Sequence, residues 1–152
     1  MTESGFHRDG YRDSTFTLLE NGKPLMKATY YIGDLNGDRV WYYADGSVET
    51  SASFVYGTLN GYMTYYAMNK EPRYRLLFKS GVVQSYSYLG PDSNWVEEIP
   101  FTNGSGAVKA KYKNGNPSAE FTYNCNWYEG EYTLYHPNGK VAHTTRYKDH
   151  EQ

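Results

Sequence analysis

The chain repeats itself at a fixed spacing, and that spacing limits what it can fold into. Residues 34–46 read DLNGDRVWYYADG and residues 58–69 read TLNGYMTYYAMN, so Leu35-Asn36-Gly37 returns as Leu59-Asn60-Gly61 after 24 positions. Taking one turn residue per unit as origin gives Gly22, Gly46, Lys70, Pro91, Gly115 and Gly139, spaced by 24 except for 21 between Lys70 and Pro91. Eight residues after each origin stand Tyr30, Phe54, Phe78, Ile99, Tyr123 and Tyr147. Fifteen after it stand Gly37, Gly61, Ser85, Gly106 and Gly130. A period of this length marks one supersecondary unit, copied and stacked.

Within a unit the apolar positions alternate, as in Ala119, Phe121, Tyr123 or Tyr74, Leu76, Phe78. Between them lie Glu49, Ser51, Ser53 in one copy and Arg73, Arg75, Lys79 in another, read as a solvated strand face. A period of two is a strand with one buried side and one wet side. Glycine-bounded turns such as GTLNG follow, then a returning strand, then Asp45-Gly46, Asn114-Gly115 or Asn138-Gly139. Asn-Gly and Asp-Gly supply the positive φ that tight hairpins need. Each unit is therefore a β-hairpin. A hairpin alone is marginal in water, so the units must stack. The expectation is an all-β fold: an elongated antiparallel meander of repeated hairpins in a single-layer twisted sheet. It forms one repeat domain over residues 1–152, with units starting near 21, 45, 69, 90, 114 and 138 and flexible ends at 1–13 and 148–152. Eighteen Tyr, six Phe and three Trp take the place of a Leu/Ile core, and rings at equal offsets are expected to form ladders.

The pattern formed by Tyr30, Gly33, Gly37, Trp41 and Tyr43, with Asn138-Gly139-Lys140, resembles the MORN repeat. It is most similar to the variant in bacterial proteins of the YwqK antitoxin and immunity type. The resemblance runs over about residues 14–147, strongly in units one, two and five and weakly over 69–113. It implies an elongated antiparallel sheet that acts as a scaffold. In the bacterial variants it implies a small protein that neutralises a toxin.

Signs of chemistry are sparse. His136 and His143 flank the Asn138-Gly139 turn, but a metal site needs a third ligand and no Cys or carboxylate has a claim. His143 reads as a packed side chain. Cys125 is the one cysteine and lacks a Cys-x-x-Cys companion or a nearby base. Glu97 and Glu98 are strand neighbours that point to opposite faces. The expectations are no enzyme, no metal and no cofactor. Net charge is -2, which offers no basic footprint for nucleic acid. No apolar stretch approaches the length of a membrane span, and Met1 to Gly5 does not begin a signal peptide. The lone cysteine fits the cytoplasm.

Binding is what remains. Tyr31, Arg39, Tyr42, Tyr66 and Tyr135 are the candidate partner-binding residues, as tyrosines at constant spacing on the outward face beside a cation. Exposed tyrosine rows mark interaction sites. The expected function is a non-catalytic protein-binding module, an immunity or antitoxin protein whose partner is a cognate protein toxin. The alternative is a MORN-type scaffold for dimerisation or membrane-lipid association, which predicts clustered Lys and Arg on one face. Monomer and dimer fit the sequence equally.

Overall fold

The computed structural model describes residues 2–8, 11–31, 34–125 and 127–147, with side chains described from Thr15 onward. The described residues hold thirteen strands and no helix. In chain order they are β1 (Thr2–Arg8), β2 (Tyr11–Glu20), β3 (Lys23–Tyr31), β4 (Asp34–Tyr42), β5 (Val48–Val55), β6 (Thr58–Tyr66) and β7 (Pro72–Lys79). Then come β8 (Val82–Ser87), β9 (Ile99–Pro100), β10 (Gly106–Lys111), β11 (Pro117–Asn124), β12 (Trp127–Tyr135) and β13 (Val141–Tyr147). Every strand pairs antiparallel with the next, as a meander must, except between β9 and β10. There the meander divides into an open sheet of nine strands and an open sheet of four. Residues 2–8 and 11–13, expected to be a flexible end, lie in β1 and β2, whereas residues 148–152 lie outside the described residues.

Two kinds of turn alternate. Asn21-Gly22, Tyr56-Gly57, Ser80-Gly81 and Asn103-Gly104 have positive φ at both residues, the geometry of a two-residue primed turn that matches strand twist. The other ends carry a longer turn, with a left-handed residue at Gly46, Lys70, Ser93, Gly115 and Gly139. In each, the preceding Asp or Asn accepts a hydrogen bond from the following amide: Asp45 from Ser47 at 2.9 Å, Asn69 from Glu71 at 3.0 Å, Asp92 from Asn94 at 3.1 Å, Asn114 from Asn116 at 2.9 Å and Asn138 from Lys140 at 2.9 Å. This side-chain mimic of a backbone turn is why Asp or Asn recurs there. The fourth turn is thus set by Asp92-Ser93, not by Pro91.

The two sequence offsets are halves of one contact. Gly37 lies opposite Phe54, Gly61 opposite Phe78, Gly106 opposite Tyr123 and Gly130 opposite Tyr147. Each glycine thus stands opposite the ring position of the next unit. A Cβ on Gly61 would lie 3.2 Å from Ser53 Cβ, and its φ is +112°, so no other residue fits without strain. Equivalent rings stand two strands apart, about 9–10 Å. The expected ring-upon-ring ladder between units is therefore replaced by ring across glycine.

Rings meet on neighbouring strands within a sheet, as Tyr65 and Tyr74 do at 4.7 Å, and also between the two sheets. Tyr74, Leu76, Phe78, Val83 and Tyr86 of the large sheet form one buried cluster with Val108, Ala110, Phe121, Tyr123 and Tyr132 of the small one. Across the sheets Tyr74 lies 5.1 Å from Phe121; Phe101, in the connection after β9, lies 5.9 Å from Tyr123; and within the small sheet Tyr128 lies 4.7 Å from Tyr123, at tilted, edge-on and stacked angles respectively. Such pairs add about 0.5–1.5 kcal/mol each beyond their buried area. The hydroxyls are satisfied in place: Tyr74 and Tyr132 bond at 2.8 Å, Tyr65 and Tyr128 at 3.2 Å. The inner face of β6–β8 is thus covered by the small sheet.

Candidate functional site

A one-residue bulge follows the turn in five units, and it decides what reaches the inner face. In β5, Val48 pairs with Tyr42 and Thr50 with Trp41; in β7, Pro72 pairs with Tyr66 and Tyr74 with Tyr65. The skipped residues are Glu49 and Arg73, and by the same register shift Leu25, Ser118 and Ala142. Glu49, Arg73 and Ala142 all border one cleft between the sheets. Arg73 was expected on a solvated face. It is 7% exposed, because the bulge reverses the alternation and swings it inward.

Arg73 joins the sheets. Its Nε donates to Tyr112 Oη at 3.1 Å and to the Tyr135 carbonyl at 3.3 Å. Its Nη1 donates to Tyr43 Oη at 3.1 Å and to the Tyr66 carbonyl at 3.3 Å. Tyr43 Oη in turn donates to the Tyr66 carbonyl, and Tyr112 Oη to the Tyr135 carbonyl, 23 residues on in both cases. One guanidinium therefore holds the same tyrosine–carbonyl pair from two units. The Arg73 carbonyl accepts from the buried Ser118 hydroxyl at 2.6 Å. Burial opposes the charge on Arg73, but the oxygens of Tyr112 and Tyr43 outweigh it and hold its pKa above the ordinary value. Burial also pushes the Tyr112 hydroxyl up, so it is a neutral phenol at neutral pH.

The opposite face of the large sheet is built differently. Lys27, Val40, Ser51, Thr64, Arg75 and Ser87 succeed one another across β3–β8. Over β7 and β8 this face is closed by the segment after β8. Arg75 lies between the rings of Tyr62 and Trp95, 4.1 Å from each centroid, and its Nη2 pairs with Glu98 at 3.0 Å. Glu98 also accepts from Ser85 at 2.9 Å. Arg75, too, was expected to be solvated, and the Trp95–Glu98 segment is the reason it is not. From β3 to β6 the face is open, and Tyr31, Val55 and Tyr62 are exposed on it at 46%, 42% and 42%.

The five candidate residues divide between surfaces. Tyr42 and Tyr66 share a row on the open face: Tyr42 pairs with Val48, Tyr66 with Pro72, and Val48 and Tyr66 border one hollow. Lys27 stands 6.0 Å over the Tyr42 ring. Tyr31 is on the same face at the other end of the strands. Arg39 is on the inner face, opposite Ala28 and Ala52, with its guanidinium 4.5 Å from the Trp41 ring. Tyr135 is on the small sheet and donates to Glu120 at 2.6 Å. The sequence reading missed Arg73, Tyr43 and Tyr112. Its one usable signal was that Tyr43 and Tyr112 both stand three residues before a turn glycine.

His136 and His143 both border the cleft, and His143, expected to be packed, is exposed with Nε2 in contact with Thr145 Oγ1. Among the described residues, no three of His, Cys, Asp or Glu gather as metal ligands would. Cys125 is exposed and unpaired, in a turn with φ +50°.

This geometry comes with one family likeness. Residues 128–149 match the family described as MORN repeat variant. The matched stretch runs from Tyr128 in β12 through the Asn138-Gly139 turn to the end of β13, one full hairpin of the array. No curated protein and no solved structure matches the chain. A MORN unit suggests a repeat-based binding module, and the pairing of Gly130 with Tyr147 in the matched hairpin recurs at Gly37, Gly61 and Gly106. No helix of the described residues is long and apolar enough to cross a membrane.

Proposed function

We propose that the chain is a non-catalytic binding module of the immunity or antitoxin kind, which blocks a cognate bacterial protein toxin in the cytoplasm by direct contact. The observation that carries this reading is the division of labour between faces. One face of the large sheet packs its rings over β6–β8 against the small sheet, whereas the other, from β3 to β6, holds Tyr31 and Tyr62 exposed and Tyr42 and Tyr66 half-buried. Tyrosine gives large contact area with few rotors and a polar tip, which suits a protein partner. The MORN repeat variant at 128–149 and the resemblance to bacterial antitoxins support the same reading.

The test is co-expression with the product of the adjacent gene, followed by co-purification and a growth-rescue assay. Tyr42→Ser with Tyr66→Ser is expected to weaken the complex at least tenfold and to abolish rescue, with unchanged circular dichroism. Tyr135→Ser, on the other sheet, is expected to leave both intact. Rescue by the double variant at wild-type strength would refute the assignment of this face. Binding to anionic liposomes without any protein partner would favour the scaffold alternative.

A further inference from the structure

Beside the Arg73 junction the two sheets leave a cleft of about 660 Å³, with Tyr65, Ala67 and Met68 on one side and Leu134 and Pro137 on the other. That volume falls in the range of small-molecule sites, about 300–1,000 Å³. Arg73 borders it and carries a full positive charge while 7% exposed. All four of its side-chain hydrogen bonds go to neutral oxygens, two phenols and two carbonyls. Among the described residues it has no carboxylate partner; Glu49, at the exposed mouth, makes no ion pair with it. Nη2 takes part in none of these bonds. Among the described residues the sealed polar atoms without a partner are Arg39 Nε and Arg75 Nε; Arg73 Nη2 is not one of them, and Arg73 lines the cleft.

A desolvated cation with two free N–H groups at one end of an apolar hollow is complementary to an anion with an apolar body. We propose that this cleft binds a small amphipathic monocarboxylate. The carboxylate accepts from Arg73 Nη2, and the hydrocarbon body lies against Tyr65, Met68, Leu134 and Pro137. A single charge suits the site better than a phosphate dianion, since one nitrogen is free and Glu49 sits at the mouth. The site is on the inner side, so it stands or falls independently of the tyrosine face.

The experiment is titration of the full chain with octanoate, octanol and octylammonium, followed by NMR at the Met68 methyl and by calorimetry. Octanoate is expected to bind saturably, octanol at least tenfold more weakly and octylammonium not at all. Ala142→Phe, which fills the cleft without touching the Arg73 bonds, is expected to weaken octanoate at least tenfold. Equal affinity for octanoate and octanol, preference for octylammonium, or no saturable octanoate binding would overturn the proposal. So would unchanged affinity in a folded Ala142→Phe variant. The three-ligand comparison on the wild-type chain decides the matter even if that variant does not fold.

Discussion

Arg73 shows how one side chain can fix the relation of two sheets. Its four acceptors come from four different hairpin ends: Tyr43 and Tyr66 in the large sheet, Tyr112 and Tyr135 in the small one. Removing it would leave those oxygens with fewer partners in a dry place, and unmet buried polar groups cost about 1–3 kcal/mol. Arg73→Met is expected to lower stability by about 2–4 kcal/mol, read from the urea midpoint. A change below about 0.5 kcal/mol would mean that the junction is ornamental. Gly61 makes the same point with the backbone. Its φ of +112° and the 3.2 Å approach to Ser53 predict a loss of about 1–3 kcal/mol for Gly61→Ala.

At the scale of the hairpin, what the sequence reveals is local chemistry. Asp-Gly and Asn-Gly announce turns because their side chains and φ make them, and the 24-residue period follows the turns. The alternation of Tyr74, Leu76 and Phe78 gives the inner face of β7 correctly, as their burial shows. The same alternation fails at Arg73, because a bulge adds one residue and reverses parity from there back to the turn, whereas Glu49 at the equivalent bulge stays exposed as read. No residue type marks that bulge: Leu25, Glu49, Arg73, Ser118 and Ala142 occupy it in turn. Tyr42 and Tyr66 fall on one face as read, whereas Arg39 and Tyr135 do not join them, since face and sheet depend on long-range pairing. Within the weak stretch of the repeat, residues 69–113, the segment 88–105 has a structural role. It shortens β9 to two residues, ends the large sheet and sends Trp95 and Glu98 back over Arg75. Trp95→Ala is expected to cost about 1–2 kcal/mol and to expose Tyr62, visible as a lower melting temperature. An unchanged melting temperature would place Trp95 outside the packed structure.

The whole molecule is an array folded onto itself, with neutral phenols at the join. Burial pushes the Tyr132 hydroxyl up to about 12 and holds Tyr65, Tyr74, Tyr123 and Tyr128 above their ordinary value too. A raised phenol favours the protonated, neutral form in the folded state. Its contribution is therefore complete below the unfolded value near 10 and is lost as pH rises through 10 towards 12. For Tyr132 that is about 2–3 kcal/mol. Unfolding followed by circular dichroism is expected to coincide with a cooperative tyrosinate rise at 295 nm in this window; smooth titration near pH 10 with the fold intact would contradict it. The most direct test of the central claim, that the two sheets close face to face through their rings, is aromatic NOE spectroscopy. The account predicts cross-peaks between the Tyr74 and Phe121 rings and between the Tyr65 and Tyr128 rings, which lie on different sheets. Cross-peaks confined within each sheet, with none between β6–β7 and β11–β12, would contradict it.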